Sequence, residues 1–149
     1  MAAYLVVMDD SREADVALRF AARRAARTGQ QIEILSLIAP LDFVQWGGVQ
    51  AAIEEEARLR AEAAVLQASG AIFEEAGIRP SILVREGEPE KVIAELLKER
   101  DGIAALVLGA AEGGPGPLIT HFASVAGTLP CPLIIVPAEL GDESLDRLG

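Results

Sequence analysis

The chain has 149 residues, enough for one domain with a sizeable core, and 51% of them are hydrophobic while only 4% are aromatic. That composition excludes a disordered chain and requires a core of Ala, Val, Leu and Ile. Thirteen basic residues against 23 acidic ones leave a formal net charge of −10, which repels polyanions and argues against sequence-independent nucleic-acid binding.

The opening "MAAYLVVMDD" has no basic segment ahead of its short apolar run, so it reads as neither a signal nor a transit peptide, and a cytoplasmic protein is expected. No apolar run reaches membrane-spanning length. "AYLVVMDD" is a nearly continuous apolar segment, which predicts a strand buried on both faces. In "SREADVALRFAARRAARTG" the residues Ala14, Ala17, Leu18, Ala21 and Ala22 follow the helical period, with Ser11 as N-cap and Gly29 as terminator. Arg19, Arg23 and Arg27 form a basic stripe along that helix, read as a solvated face.

"QIEILSLIAP" predicts the second strand, stopped by Pro40. From Leu41 to Gln50 no period is evident, and the segment, which holds Trp46, reads as an excursion over one end of the sheet. "AAIEEEARLRAEAAVLQASGAIFEEAG" is the strongest helix, with Glu54 to Arg58 and Glu56 to Arg60 in the favoured i to i+4 order. "IRPSILVREG" gives a third strand, and "EPEKVIAELLKERDG" a third helix with Pro89 in its first turn and Gly102 past its end. "IAALVLG" is the fourth strand, "PLITHFASVAGTL" a weak fourth helix, and "CPLIIVP" the fifth strand. Five strands alternating with four helices predict an α/β fold, a parallel sheet wrapped on both faces, spanning residues 1–138. The acidic tail, 139–149, is compatible with one short helix or with disorder.

In such sheets ligands bind beyond the carboxyl ends of the strands. A Walker phosphate loop fails, because Gly109 and Gly114 are not followed by Lys and Ser or Thr. A dinucleotide fingerprint fails as well, since "MDDSRE" after the first strand has no glycine. A receiver domain would use the acidic pair Asp9 and Asp10, but Arg85, Glu86, Gly87 and Pro137 stand where its acceptor Asp and its Lys are needed.

The strand-end residues together resemble the universal stress protein family over essentially the whole chain. The residues that carry the resemblance are Asp9 and Ser11 after the first strand, Gly87, Glu88 and Pro89 after the third, the glycine-bearing loop after the fourth, and Cys131 and Pro132 leading into "LIIVP". The resemblance implies a doubly wound five-stranded sheet in the order 3-2-1-4-5, similar to the adenine nucleotide alpha hydrolases, and a homodimer through the fifth strand. Leu133, Ile134, Ile135 and Val136 also give a physical reason for pairing, because a short apolar edge strand otherwise exposes unpaired backbone groups.

One branch of that family binds ATP through G-x-x-G, nine residues, then Gly with Ser or Thr. Laid on Gly109, the pattern meets Glu112, Phe122 and Ala123, and Glu112 would set a negative charge where a phosphate belongs. A shifted alignment brings in Gly113, Gly114, Gly116 and Thr120 beside a helix N-terminus that favours anions, while Pro115 and Pro117 remove donors. The expected function is thus a homodimeric stress-response binding or regulatory protein, not an enzyme, with no tight nucleotide site and no metal. The alternative is an ATP-gated switch or slow ATP hydrolase using ATP with magnesium, held by Asp9, Asp10, Ser11, Gly109, Gly113, Gly114, Gly116 and Thr120. Asp9 would then contact base or ribose; otherwise it caps the first helix with Asp10 and Ser11. His121 reads as a surface or packing residue, and Cys131 as a small hydrophobe, with a redox thiol the lesser reading.

Overall fold

The computed structural model describes residues 2–9, 11–38 and 47–149. The chain runs β1 (Ala3–Met8), α1 (Arg12–Thr28), β2 (Gln31–Ile38), α2 (Gly47–Ala76), β3 (Ser81–Glu86), α3 (Pro89–Glu99), β4 (Ile103–Ala110), α4 (Gly116–Ser124), a 3-10 turn (Ala126–Thr128), β5 (Leu133–Pro137) and α5 (Asp142–Leu148). Every pair in the sheet is parallel, as the alternation of elements predicts, and the order is β3-β2-β1-β4-β5, as the family resemblance implies. β1 is buried along its whole length because it is central and covered on both faces. Tyr4, Val6 and Met8 enter the layer formed with α1, α2 and α5, whereas Leu5 and Val7 enter the layer formed with α3 and α4. This is the alternation of a strand with period two.

Local signals place the elements. Ser11 caps α1 by accepting from the Ala14 amide at 3.2 Å, and Gly29 closes the helix in the left-handed region at φ 71°. Gly87 adopts φ 138°, and its amide donates to the Ile38 carbonyl, so the turn into Pro89 is tied to the neighbouring strand end.

Two element boundaries differ from expectation. α2 begins at Gly47, so Gly47–Gln50 is helical rather than part of an excursion, while residues 39–46, Trp46 among them, lie outside the described residues. The fourth helix is also shorter than its apolar pattern suggests. It ends at Ser124, and Ala126–Thr128 form a separate 3-10 turn across Gly127, a residue that weakens a helix interior.

The basic stripe of α1 is not a solvated face. The tail folds into α5 and lies on it, with Leu145 fully buried among α1 side chains. Arg19 bonds Asp142 at 2.6 Å and Glu75 at 3.0 Å, and Arg23 bonds Asp146 at 2.6 Å and Glu75 at 3.2 Å. Arg27 donates to the carbonyls of Asp146 and Gly149, the unsatisfied end of α5. One carboxylate of α2 and two of α5 therefore meet the guanidinium groups of Arg19 and Arg23, and Arg27, one turn further on, holds backbone carbonyls of α5.

This clasp has a pH dependence. The Arg19 hydrogen bond, then its charge, hold the Asp142 carboxyl below its ordinary value of 3.8. A carboxyl depressed in the folded state adds stability that is complete above the ordinary value and fades as pH falls through the folded value. Hydrogen exchange should therefore show the α5 amides losing protection from about pH 4 downward while β1 amides keep theirs. Asp142→Asn should flatten that dependence.

Candidate functional site

The carboxyl ends of β1 and β4 and the N-termini of α1 and α4 enclose a cleft of about 260 Å³. Its floor is apolar, from Val7, Leu108 and Ile119, and its rim carries Asp9, Ser11 and Glu13. Asp9 also borders a second cleft of about 170 Å³, between the ends of β1 and β2 and α2, lined by Met8, Ser36 and Arg60. Both are small beside the roughly 300–1,000 Å³ of ordinary ligand pockets.

Of the expected site residues, Asp9, Ser11, Gly109 and Gly116 line the first cleft, whereas Gly113, Gly114 and Thr120 are not among its lining, and several of the polar atoms already have partners. The Asp9 Oδ1 accepts from the Ser11 amide at 2.8 Å, and the Ser11 hydroxyl accepts from Ala14, so both serve the start of α1. Asp10 lies outside the described residues. A Cβ on Gly109 would sit 2.0 Å from the Glu13 carbonyl oxygen, so this glycine lets the first turn of α1 lie directly on β4.

Beyond Gly109 the loop closes on itself. The Gly114 amide donates to the Ala111 carbonyl at 3.3 Å, forming a short bridge that leaves Glu112 and Gly113 exposed at its tip. Gly114 at φ 148° and Gly116 at φ 83° face open space and take backbone shapes closed to most residues. Pro115 is the N-cap of α4 and Pro117 follows within its first turn, so two positions that offer amides at an ordinary helix start offer none. Thr120 is the fifth residue of α4, past its first turn, and its hydroxyl donates to the Gly116 carbonyl at 2.9 Å. The cleft thus has few amide donors at the start of α4, and two acidic residues, Asp9 and Glu13, are among its lining.

Glu13 and Arg60 were not singled out as site residues by the sequence. Glu13 could have been found from its position two residues after the N-cap, where a first-turn side chain overhangs the cleft. Nothing local marks Arg60, because α2 reaches the strand ends only through the tertiary fold. Among the described residues no three His, Cys, Asp or Glu side chains gather as a metal cluster, and no helix is long and apolar enough to cross a membrane. His121 has a carboxylate neighbour after all, with its Nδ1 3.9 Å from Glu90 of α3, in a surface pair. Burial pushes the Cys131 thiol up, which keeps it protonated and slow as a nucleophile.

On β5, Leu133, Ile134, Ile135 and Val136 pair with Leu106, Val107, Leu108 and Gly109 of β4. β5 is the last strand of the sheet, and Ile135 on it is 44% exposed.

The model of the universal stress protein family matches residues 3–137. No curated protein matches the chain. Among solved structures, the universal stress protein UspA from Lactobacillus plantarum superposes with a TM-score of 0.77 at 18% identity, covering 91% of this chain and 97% of that one. A universal stress protein family member from Burkholderia pseudomallei gives 0.71 at 17% identity, covering 91% and 96%. The universal stress protein from Archaeoglobus fulgidus in complex with dAMP gives 0.60 at 21% identity, covering 91% and 97%.

Proposed function

The chain belongs to the universal stress protein family, and on that premise we propose that it is a homodimeric stress-response binding or regulatory protein, without a tight nucleotide site and without catalysis. The start of α4 carries this reading. Pro115 and Pro117 remove amide donors where a phosphate would need them, and the Thr120 hydroxyl is turned back onto its own helix. Asp9 and Glu13 add negative charge to the same cleft, and each opposes a phosphate by about 1 kcal/mol at contact distance even in water.

The rival reading, an ATP-gated switch or slow hydrolase, draws on Gly116, which lines the cleft with Asp9, on the open Gly114 nearby in the loop, and on the dAMP held by the Archaeoglobus relative. Thermal unfolding separates the two. With 1 mM ATP and magnesium the proposed protein should gain no more than about 0.4 kcal/mol, the linkage value for a dissociation constant of 1 mM. A micromolar site would add about 4 kcal/mol under the same conditions.

The dimer would form through β5, where Leu133 to Val136 leave one strand edge open and Ile135 exposed. Light scattering at micromolar concentration should give twice the chain mass of 15.7 kDa. Ile135→Lys should bring it to one chain mass, and a native chain that is already a monomer would remove the dimer.

A further inference from the structure

α2 is apolar on two opposite faces. Val65, Ala68 and Ile72 are buried against the sheet and α1, as an amphipathic helix requires. On the far side Leu59, Leu66 and Phe73 recur every seven residues and are 55%, 67% and 46% exposed. Ala63 and Gly70 fall between them, so the seam reads Leu59, Ala63, Leu66, Gly70, Phe73, alternating steps of four and three. That spacing is the signature of a helix that packs against another helix. The seam is about 21 Å long at 1.5 Å per residue. The Arg79 guanidinium lies 4.9 Å from the Phe73 ring centre and leaves the rest of the seam uncovered.

We propose that this seam pairs with the α2 seam of a second copy of the chain, antiparallel about a two-fold axis. Two features select that occupant and that direction. First, large residues then meet small ones: Leu66 faces Gly70 of the other copy, Phe73 faces Ala63, and Leu59 reaches the helix end at Gly77. No side chain or backbone lies within 4 Å of where a Cβ on Gly70 would be, so the space is free for an incoming leucine. A parallel, in-register pair would set Phe73 against Phe73 and Gly70 against Gly70, leaving a crowded layer beside an empty one. Second, in the same antiparallel register Arg60 and Glu74, both exposed on one flank of the seam, face each other across the pair twice over. The interface lies away from β5, at the other half of the sheet, so it would join dimers rather than replace them.

The test uses the full chain and two measurements. In sedimentation equilibrium at near-millimolar concentration, the Ile135→Lys chain should still associate reversibly into dimers. Adding Leu66→Glu should abolish that association, adding Arg60→Glu should weaken it about tenfold, and combining Arg60→Glu with Glu74→Arg should restore it. Disulfide trapping tests the register independently, in chains carrying Cys131→Ala. Leu66→Cys and Gly70→Cys chains, mixed, should crosslink several-fold faster than either alone. Association untouched by Leu66→Glu, or mixed chains that crosslink no faster than single ones, would overturn the proposal. A partner helix from a different protein would show itself in the same way, as a seam that leaves self-association unchanged.

Discussion

Gly109→Ala is expected to lower the unfolding free energy by at least about 3 kcal/mol, the upper range for overpacking a well-filled site. The added methyl would lie 2.0 Å from the Glu13 carbonyl oxygen and 2.4 Å from its carbon, and both belong to backbone. A flexible side chain could swing aside, but here the first turn of α1 must move off β4. Gly113 supplies the control. A Cβ there meets nothing within 4 Å and its φ is not positive, so Gly113→Ala should change stability by less than about 0.5 kcal/mol. Urea unfolding of the two variants measures the contrast, and equal losses would show that Gly109 does not serve helix packing.

Leu145→Ala is expected to cost about 2 kcal/mol or more, in the range of buried leucine truncations. Leu145 is wholly buried although it stands four residues before Gly149, because α5 lays it into the core cluster that α1 side chains line. The loss should appear first as faster hydrogen exchange in α5 and then in the denaturant midpoint. Arg23→Ala should act in the same direction, since it removes the partner of both Asp146 and Glu75. A Leu145→Ala protein as stable as the parent would mean that α5 contributes nothing to the fold.

The parallel sheet was legible because its strands are short apolar runs separated by helical periods, several of them with cap signals, whereas the strand order came from the resemblance to the universal stress protein family. Ser11, Gly29, Gly87 and Pro89 mark boundaries through local backbone chemistry, and local chemistry is what a sequence shows. The role of Arg19, Arg23 and Arg27 was not legible, because their partners Asp142 and Asp146 lie about 120 residues away along the chain. A basic stripe and an acidic tail each look like solvated surface until the fold lays one on the other. The start of α2 was missed for a different reason. Two glycines open it, and glycine is among the poorest helix formers, so the helix is held there by context rather than propensity.

At the candidate cleft only part of the lining was legible, Asp9, Ser11, Gly109 and Gly116 but not Glu13. Asp9 and Ser11 stood out as polar residues at the end of a central strand, and the sequence left open whether they cap or bind. In the structure both accept backbone hydrogen bonds at the start of α1. Gly109 was grouped with the loop glycines by spacing, but it answers to α1, and only the glycines beyond it belong to the loop.

Whether the loop beyond Gly109, as far as Thr120, holds phosphate is the central question. Calorimetric titration of the nucleotide-stripped chain with ATP in the presence of magnesium decides it most directly. The account predicts no saturable heat up to millimolar ATP, whereas saturation in the micromolar range would contradict it and make Asp9, Gly113, Gly114, Gly116 and Thr120 a nucleotide site.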